Sequence, residues 1–259
     1  MLELGAASRA KGPVNEDAYL FDAHRWLFAV FDGLGGSRQG AFAAKLAAGA
    51  IHAAYERQGP FDDLEAEAAF LTMAVQGAGA LLSATLEDGL TTASVVKVCV
   101  GSDGGATALI CNIGDSRVYR LTASGDLRQC TLDDSMFGTD WDVQLRLGEV
   151  VVATDLLESV YLAQRHVIDR VLGEGLHAPS LWTVPLDDGD VLLAVTDGVT
   201  DNLTFSELGE VTRASRDNSA RAARGLVDAA FARSHEVSHA RAKIDDMTAV
   251  VARVRSHAA

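Results

Sequence analysis

Apolar runs that stop on an aspartate constrain this chain more than any other feature. In FAVFDGLGG the run beginning at Phe28 closes on Asp32 and is followed by Gly33, Gly35 and Gly36. Such a run reads as a buried strand passing into a loop, and a carboxylate at its tip is costly unless something cationic meets it. The pattern recurs at Asp115 in CNIGDSR, at Asp197 in LLAVTDG and at Asp245 in KIDDMTAVV, while Glu16 and Asp17 open what reads as the first strand, in VNEDAYLF. Several carboxylates share one place only if their repulsion is cancelled, and divalent cations do that.

An oxygen-only ligand set without cysteine or histidine favours hard ions, magnesium or manganese. The glycines behind Asp32 let the main chain approach such an ion closely, which makes the carbonyl of Gly33 a candidate ligand. Two ions sharing a carboxylate can activate water and stabilise phosphoryl oxygens during in-line displacement.

Along the chain, GAFAAKLAAGAIHAAYERQ (40–58) and DDLEAEAAFLTMAVQGAGALLSATLED (62–88) have helical spacing and predict two consecutive helices. The pattern then turns to β: ASVVKVCVG, then ATALICNIGDSRVYRLTASGDLRQCTL with a turn at TASGD, which predicts an antiparallel meander. Residues 136–165 carry mixed signals and are expected to form a flap-like connecting insertion with some helix. DGDVLLAVTDGV predicts a buried strand ending in Asp197, NSARAARGLVDAAFARSHE a helix and MTAVVARVR a last strand. Strands in runs and helices in pairs indicate an α+β fold rather than a wound parallel sheet. With no repeat and no linker-like tract, one domain over 1–259 is the expectation.

A hydrophobic content of 48% over 259 residues provides for a sizeable core, and a net charge of −14 disfavours nucleic acid and anionic membrane surfaces as partners. Cys99, Cys111 and Cys130 lack the close spacing of metal or redox motifs and read as free thiols of a reducing compartment. The N-terminus lacks the apolar core of a signal peptide, and no uninterrupted apolar stretch is read as long enough to span a bilayer. A soluble cytoplasmic protein is expected.

Other short motifs fail on spacing. HEVSH (His235 to His239) matches a zinc-binding pattern, but no glutamate follows His239, Ala242 and Asp245 stand where the extended form needs glycine and histidine, and its histidines are expected at an exposed helix end. GLGGSRQG has Arg38 where a dinucleotide loop needs its third glycine, and Ser116 lacks the glycine elbow of a serine nucleophile.

Five segments in order, NEDAYLF, FDGLGG, GDSRVYRL, VTDGVTDNL and DDMTAVV, resemble the signature motifs of the metal-dependent protein phosphatases, the PPM family of type 2C serine/threonine phosphatases, over about Asn15 to Arg253. The resemblance implies a four-layer αββα sandwich, two antiparallel sheets flanked by pairs of helices, with a two-ion site at one end. It implies Asp32 bridging two Mn2+ or Mg2+ ions, the Gly33 carbonyl on one of them, and Asp197 and Asp245 on the other. Glu16 and Asp17 would stand behind these ligands and hold water, and Asp115 with Asp201 would match a weaker third ion. The implied reaction is hydrolysis of phosphoserine or phosphothreonine in a protein by metal-activated water, with no side-chain nucleophile. The resemblance also implies, as substrates, the targets of a serine/threonine kinase.

The chain departs from the family at three places. The usual phosphate-gripping arginine, five positions before Asp17, is Gly12, which leaves Arg9, Lys11 and Arg38 as phosphate-binding candidates. Leu34 stands where some members carry a histidine, and Asp246 where asparagine is common. The missing arginine keeps open a pseudophosphatase that binds or regulates, and the fold alone admits a hydrolase of small phosphoesters.

Overall fold

The structure, a computed structural model, describes residues 2–255 except 36, 37, 60, 62, 102, 103, 139 and 176; the side chain of Arg38 also lies outside the described part. The elements run β1 (Leu2–Arg9), β2 (Ala18–Asp22), β3 (Leu27–Phe31), β4 (Gly33–Leu34), α1 (Arg38–Arg57), α2 (Leu64–Thr85), β5 (Leu90–Thr91), β6 (Ala93–Val100), β7 (Ala106–Ile113), β8 (Arg117–Leu121) and β9 (Leu127–Gln129). They continue with α3 (Trp141–Gly148), α4 (Leu156–Gln164), β10 (Ser180–Leu186), β11 (Val191–Val195), α5 (Asp197–Thr200), α6 (Phe205–Ala214), α7 (Ser219–Ser234) and β12 (Met247–Val254).

Two antiparallel sheets stack face to face, one in the order β1-β12-β11-β8-β9 and the other β10-β7-β6-β3-β2. Strand alternation makes three cores of them. In β3, Phe28 and Val30 point between the sheets, toward Val118, Leu192, Ala194 and Val250, whereas Leu27, Ala29 and Phe31 point at the alanine-rich faces of α1 and α2. On the far side Val195, Ala249 and Val251 pack under α6 and α7 through Leu208, Ala222 and Leu226. The result is the αββα sandwich. Since β3 is buried on both faces, the first polar residue after it, Asp32, marks where the chain leaves the core.

Antiparallel pairing brings the acidic residues to one end. Ala18 stands opposite Phe31, Ala93 opposite Ile113 and Val195 opposite Ala249, so the start of β2, the ends of β3, β7 and β11 and the start of β12 lie together. Residues far apart in sequence become neighbours because each lies one or two positions beyond a paired strand end.

Several expectations need correction. The first strand is β1, and Glu16–Asp17 opens the second. The expected meander is broken, because β7 and β8 belong to different sheets; the chain crosses at Gly114, whose φ of +103 and closeness to Thr92 demand glycine. Asp197 does not end a strand but opens the short helix α5, after Thr196. Strand β10 and helix α6 lie outside the elements expected from the sequence pattern, although α6 carries a capping box from Thr204 to Glu207.

Helix α2 is long and apolar enough by length and composition to cross a membrane, with an 18-residue window of mean hydropathy 1.4 within its 22 residues, although Glu67, Thr72 and Gln76 interrupt the apolar run. In the fold, Leu71, Val75, Ala78 and Leu82 of that helix face the core, and Asp63 caps it by accepting the Ala66 N–H at 2.7 Å. Residues 136–165 do contain helices, α3 and α4, which enclose a small core of Phe137, Leu147, Val150 and Tyr161.

Candidate metal centre

The backbone at this end is held where side chains would intrude. The Gly33 N–H donates to the Glu16 carbonyl at 3.2 Å, and a Cβ at Gly33 would lie 2.2 Å from the Gly40 carbonyl oxygen, so β4 can pass α1 only as glycine. The Asp32 carbonyl accepts from Thr92 N–H and from the Thr91 hydroxyl, both at 2.8 Å, which fixes the turn behind that carboxylate.

The structure brings together Glu16, Asp17, Asp32, Asp115, Asp197, Asp201 and Asp245. Asp17 accepts the Thr196 hydroxyl at 2.8 Å. Asp245 accepts the Lys11 ammonium at 2.9 Å, and that ammonium is also 3.4 Å from Glu16. Asp201 faces Arg165 at 3.4 Å. The Lys243 ammonium lies 2.5 Å from Asp197, 2.7 Å from Asp201 and 3.1 Å from Asp245.

Electrostatics show where positive charge is short. Burial first, then the charges of Asp197, Asp17 and Asp115, push the Asp32 carboxyl well above its ordinary range. Burial with the charges of Asp197 and Asp133 does the same at Asp115, and burial with those of Asp197 and Asp246 pushes Asp17 up to about 8 against two hydroxyl hydrogen bonds. At Asp197 burial outweighs Lys243 and the carboxyl is raised. At Asp201 and Asp245 burial is outweighed by Lys243, with Arg165 and Lys11 respectively, and both are lowered.

Buried carboxylate oxygens without any hydrogen-bond partner cluster here: Glu16 Oε1, Asp17 Oδ1, Asp115 Oδ1 and Asp197 Oδ1. Unpaired buried oxygens of this kind are expensive unless a cation supplies the missing partner. Among the described residues no three carboxylate, imidazole or thiolate groups are already closed into a ligand shell, since Lys243 lies between the aspartates. The donor chemistry nevertheless fits hard divalent ions.

Other candidates go elsewhere. Arg9 stacks its guanidinium 3.2 Å from the centre of the Phe231 ring and lies 3.8 Å from Asp228, on α7, so the structure does not bring it to the carboxylates. Lys11 is brought there; Arg38 lies outside the described side chains. The Ser116 hydroxyl is buried 2.8 Å from that of Thr92, and His239 meets Arg233 at 3.1 Å in a turn beyond α7. The three cysteines are free thiols.

Sequence reasoning missed Thr196, Lys243 and Arg241. Arg241 is fully buried, donating to the carbonyls of Val150 at 3.0 Å and Thr200 at 2.5 Å, and so ties the 136–165 segment to α5. Only their nearness in sequence to Asp197 and Asp245 marked them.

Residues 4–229 match the family model for protein phosphatase 2C. The serine/threonine phosphatase stp of Listeria monocytogenes serovar 1/2a is 28% identical over 199 residues, covering 74% of each chain. Among solved structures, the catalytic domain of the serine/threonine protein phosphatase PstP in complex with two manganese ions superposes with a TM-score of 0.75 at 26% identity, covering 98% of both chains. The PPM Ser-Thr phosphatase MsPP from Mycobacterium smegmatis, in complex with cacodylate, gives a TM-score of 0.74 at 29% identity over 97% of this chain and 98% of its own. Motif order, sandwich and family model agree, and the chain belongs to the protein phosphatase 2C family.

Proposed function

We infer that this protein is a phosphoprotein phosphatase that hydrolyses phosphoserine and phosphothreonine with two manganese or magnesium ions. The reading is carried by one observation: carboxylates from five strand ends meet at one end of the sandwich, four of them (Glu16, Asp17, Asp115 and Asp197) with a buried oxygen unpaired, in a chain of this family. The relatives support it, being serine/threonine phosphatases, one of them with two manganese ions.

Asp32, the Gly33 carbonyl, Asp197 and Asp245 would hold the ions, with Asp115 and Asp201 available to a third. Bound there, the ions would supply Lewis acidity and an activated water for attack at phosphorus. The protein's own part is to place charge. Thr196 orients Asp17 through its hydroxyl, and Asp246 pins the chain beside Glu16 by accepting its N–H at 2.8 Å. Of the two candidates with described side chains, Lys11, about one-third exposed beside Glu16 and Asp245, is the one placed to meet the substrate phosphate in a chain with Gly12 where family members carry arginine. Ser116, the serine nearest a nucleophile motif, is buried with its hydroxyl 2.8 Å from that of Thr92, which does not offer it as a nucleophile.

The substrates in this reading are targets of a serine/threonine kinase, and the free thiols favour a cytoplasmic setting. The test is hydrolysis of a phosphothreonine peptide beside a panel of small phosphoesters, with manganese, with chelator and by Asp197→Ala. Peptide turnover lost with chelator and in the variant is expected. No turnover by folded, manganese-loaded protein would leave a binding or regulatory module instead, and turnover of small phosphoesters alone would reassign the substrate.

A further inference from the structure

Among the described side chains, Lys243 is the cation that meets the most carboxylates of the candidate centre. Its ammonium has three N–H donors and meets three carboxylates, those of Asp197, Asp201 and Asp245, at 2.5, 2.7 and 3.1 Å. The lysine is held in place from behind: its N–H donates to the Asn202 side chain at 3.0 Å, and its carbonyl accepts the Asn202 amide at 2.9 Å. Asn202 in turn donates to the Gly198 carbonyl at 2.8 Å, so the lysine backbone is clamped to α5, which opens at Asp197 and is followed by Asp201.

We propose that Lys243 is a tethered cation that competes with divalent metal for the Asp197, Asp201 and Asp245 carboxylates and must be displaced for an ion to take them. This rests on the reading that Asp197 and Asp245 are metal ligands. An ammonium within hydrogen-bond reach of all three occupies the space in which those oxygens would converge on an ion, and two positive charges cannot share that space. Asp201 keeps a second cation, Arg165 at 3.4 Å, and Asp245 keeps Lys11 at 2.9 Å, so both stay paired when the lysine leaves, and Asp197 is the carboxylate whose lost positive charge an ion must make good. The chain thereby trades metal affinity for carboxylates that are partly neutralised at low metal concentration.

The experiment compares the full chain with Lys243→Met, Lys243→Gln and Asp197→Asn. Manganese binding is measured by titration calorimetry, and melting temperature is measured in chelator and in saturating manganese. Lys243→Met and Lys243→Gln are expected to bind manganese about tenfold more tightly or better. They are also expected to melt lower than the parent in chelator, and at or above it in manganese. Unchanged or weaker manganese binding by both lysine variants, with binding by the parent intact and lost in Asp197→Asn, would overturn the competition. Equal manganese binding by the parent and Asp197→Asn would instead overturn the ligand reading beneath it.

Discussion

The Asp246 carboxylate accepts the backbone N–H of Glu16 at 2.8 Å with one oxygen, and that of Lys11 at 2.6 Å with the other. Where asparagine is common in the family, this chain thus uses both oxygens of an aspartate to fasten the loop between β1 and β2 over the acidic cluster. An asparagine has one acceptor, so Asp246→Asn keeps one of the two bonds and sets its amide against the other N–H. A loss of about 1 kcal/mol is expected for Asp246→Asn and about 2–3 kcal/mol for Asp246→Ala, read from urea unfolding midpoints. Equal stability of all three proteins would show that the loop is held by something else.

Gly198 follows Asp197, and a Cβ there would lie 1.9 Å from the Asp246 carbonyl oxygen. A clash with backbone is relieved only by shifting α5 and, with it, Asp197. Gly198→Ala is expected to weaken manganese binding at least tenfold, the scale on which disturbed support of a ligand acts, and calorimetry on the folded variant measures it.

The Arg241 guanidinium satisfies carbonyls on both sides of a junction, Leu147 and Val150 on one and Thr200 and Leu203 on the other. Arg241→Met would leave several buried oxygens unpaired, at about 1–3 kcal/mol each. The predicted result is a destabilised protein in which limited proteolysis cuts first within 136–165, because that segment loses its buried tie to α5 and the residues after it.

Asp22 lies far from the acidic cluster, at the other end of β2. Burial opposes its charge, but the N–H groups of Arg25 and His24 at 3.0 Å and the His52 ring at 3.1 Å outweigh that and hold its carboxyl below the ordinary range. A lowered native pKa stabilises above the unfolded value of about 3.9 and fades as pH falls through the native value. The gap in melting temperature between the parent and Asp22→Asn should therefore be largest near pH 7 and should narrow below about pH 4.

Asp32, Asp197 and Asp245 were legible because an aspartate closing or opening an apolar run stands out against the hydrophobic pattern, and antiparallel pairing then carries such residues to one end. The stacking of two sheets was not contained in the periodicity: alternation continues on both sides of Gly114, so nothing local says that β7 and β8 part company there. Arg9 illustrates the opposite error, in which nearness in sequence to Gly12 suggested nearness to the site. Strand alternation turns its side chain onto Phe231 of α7 instead. Lys243 and Arg241 sit in a polar loop without period, where a cation carries no sign of the carboxylate or carbonyl it will meet.

The carboxylates gathered at the sandwich end are expected to bind the metal. Crystals of manganese-loaded protein, measured at the manganese absorption edge, locate the ions directly. Two anomalous peaks are expected, one of them between Asp32, Asp197 and Asp245 and the other against Asp32 and the Gly33 carbonyl. Peaks confined to other acidic surfaces, with the Lys243 ammonium still on Asp197 and Asp245, would contradict the assignment of the centre.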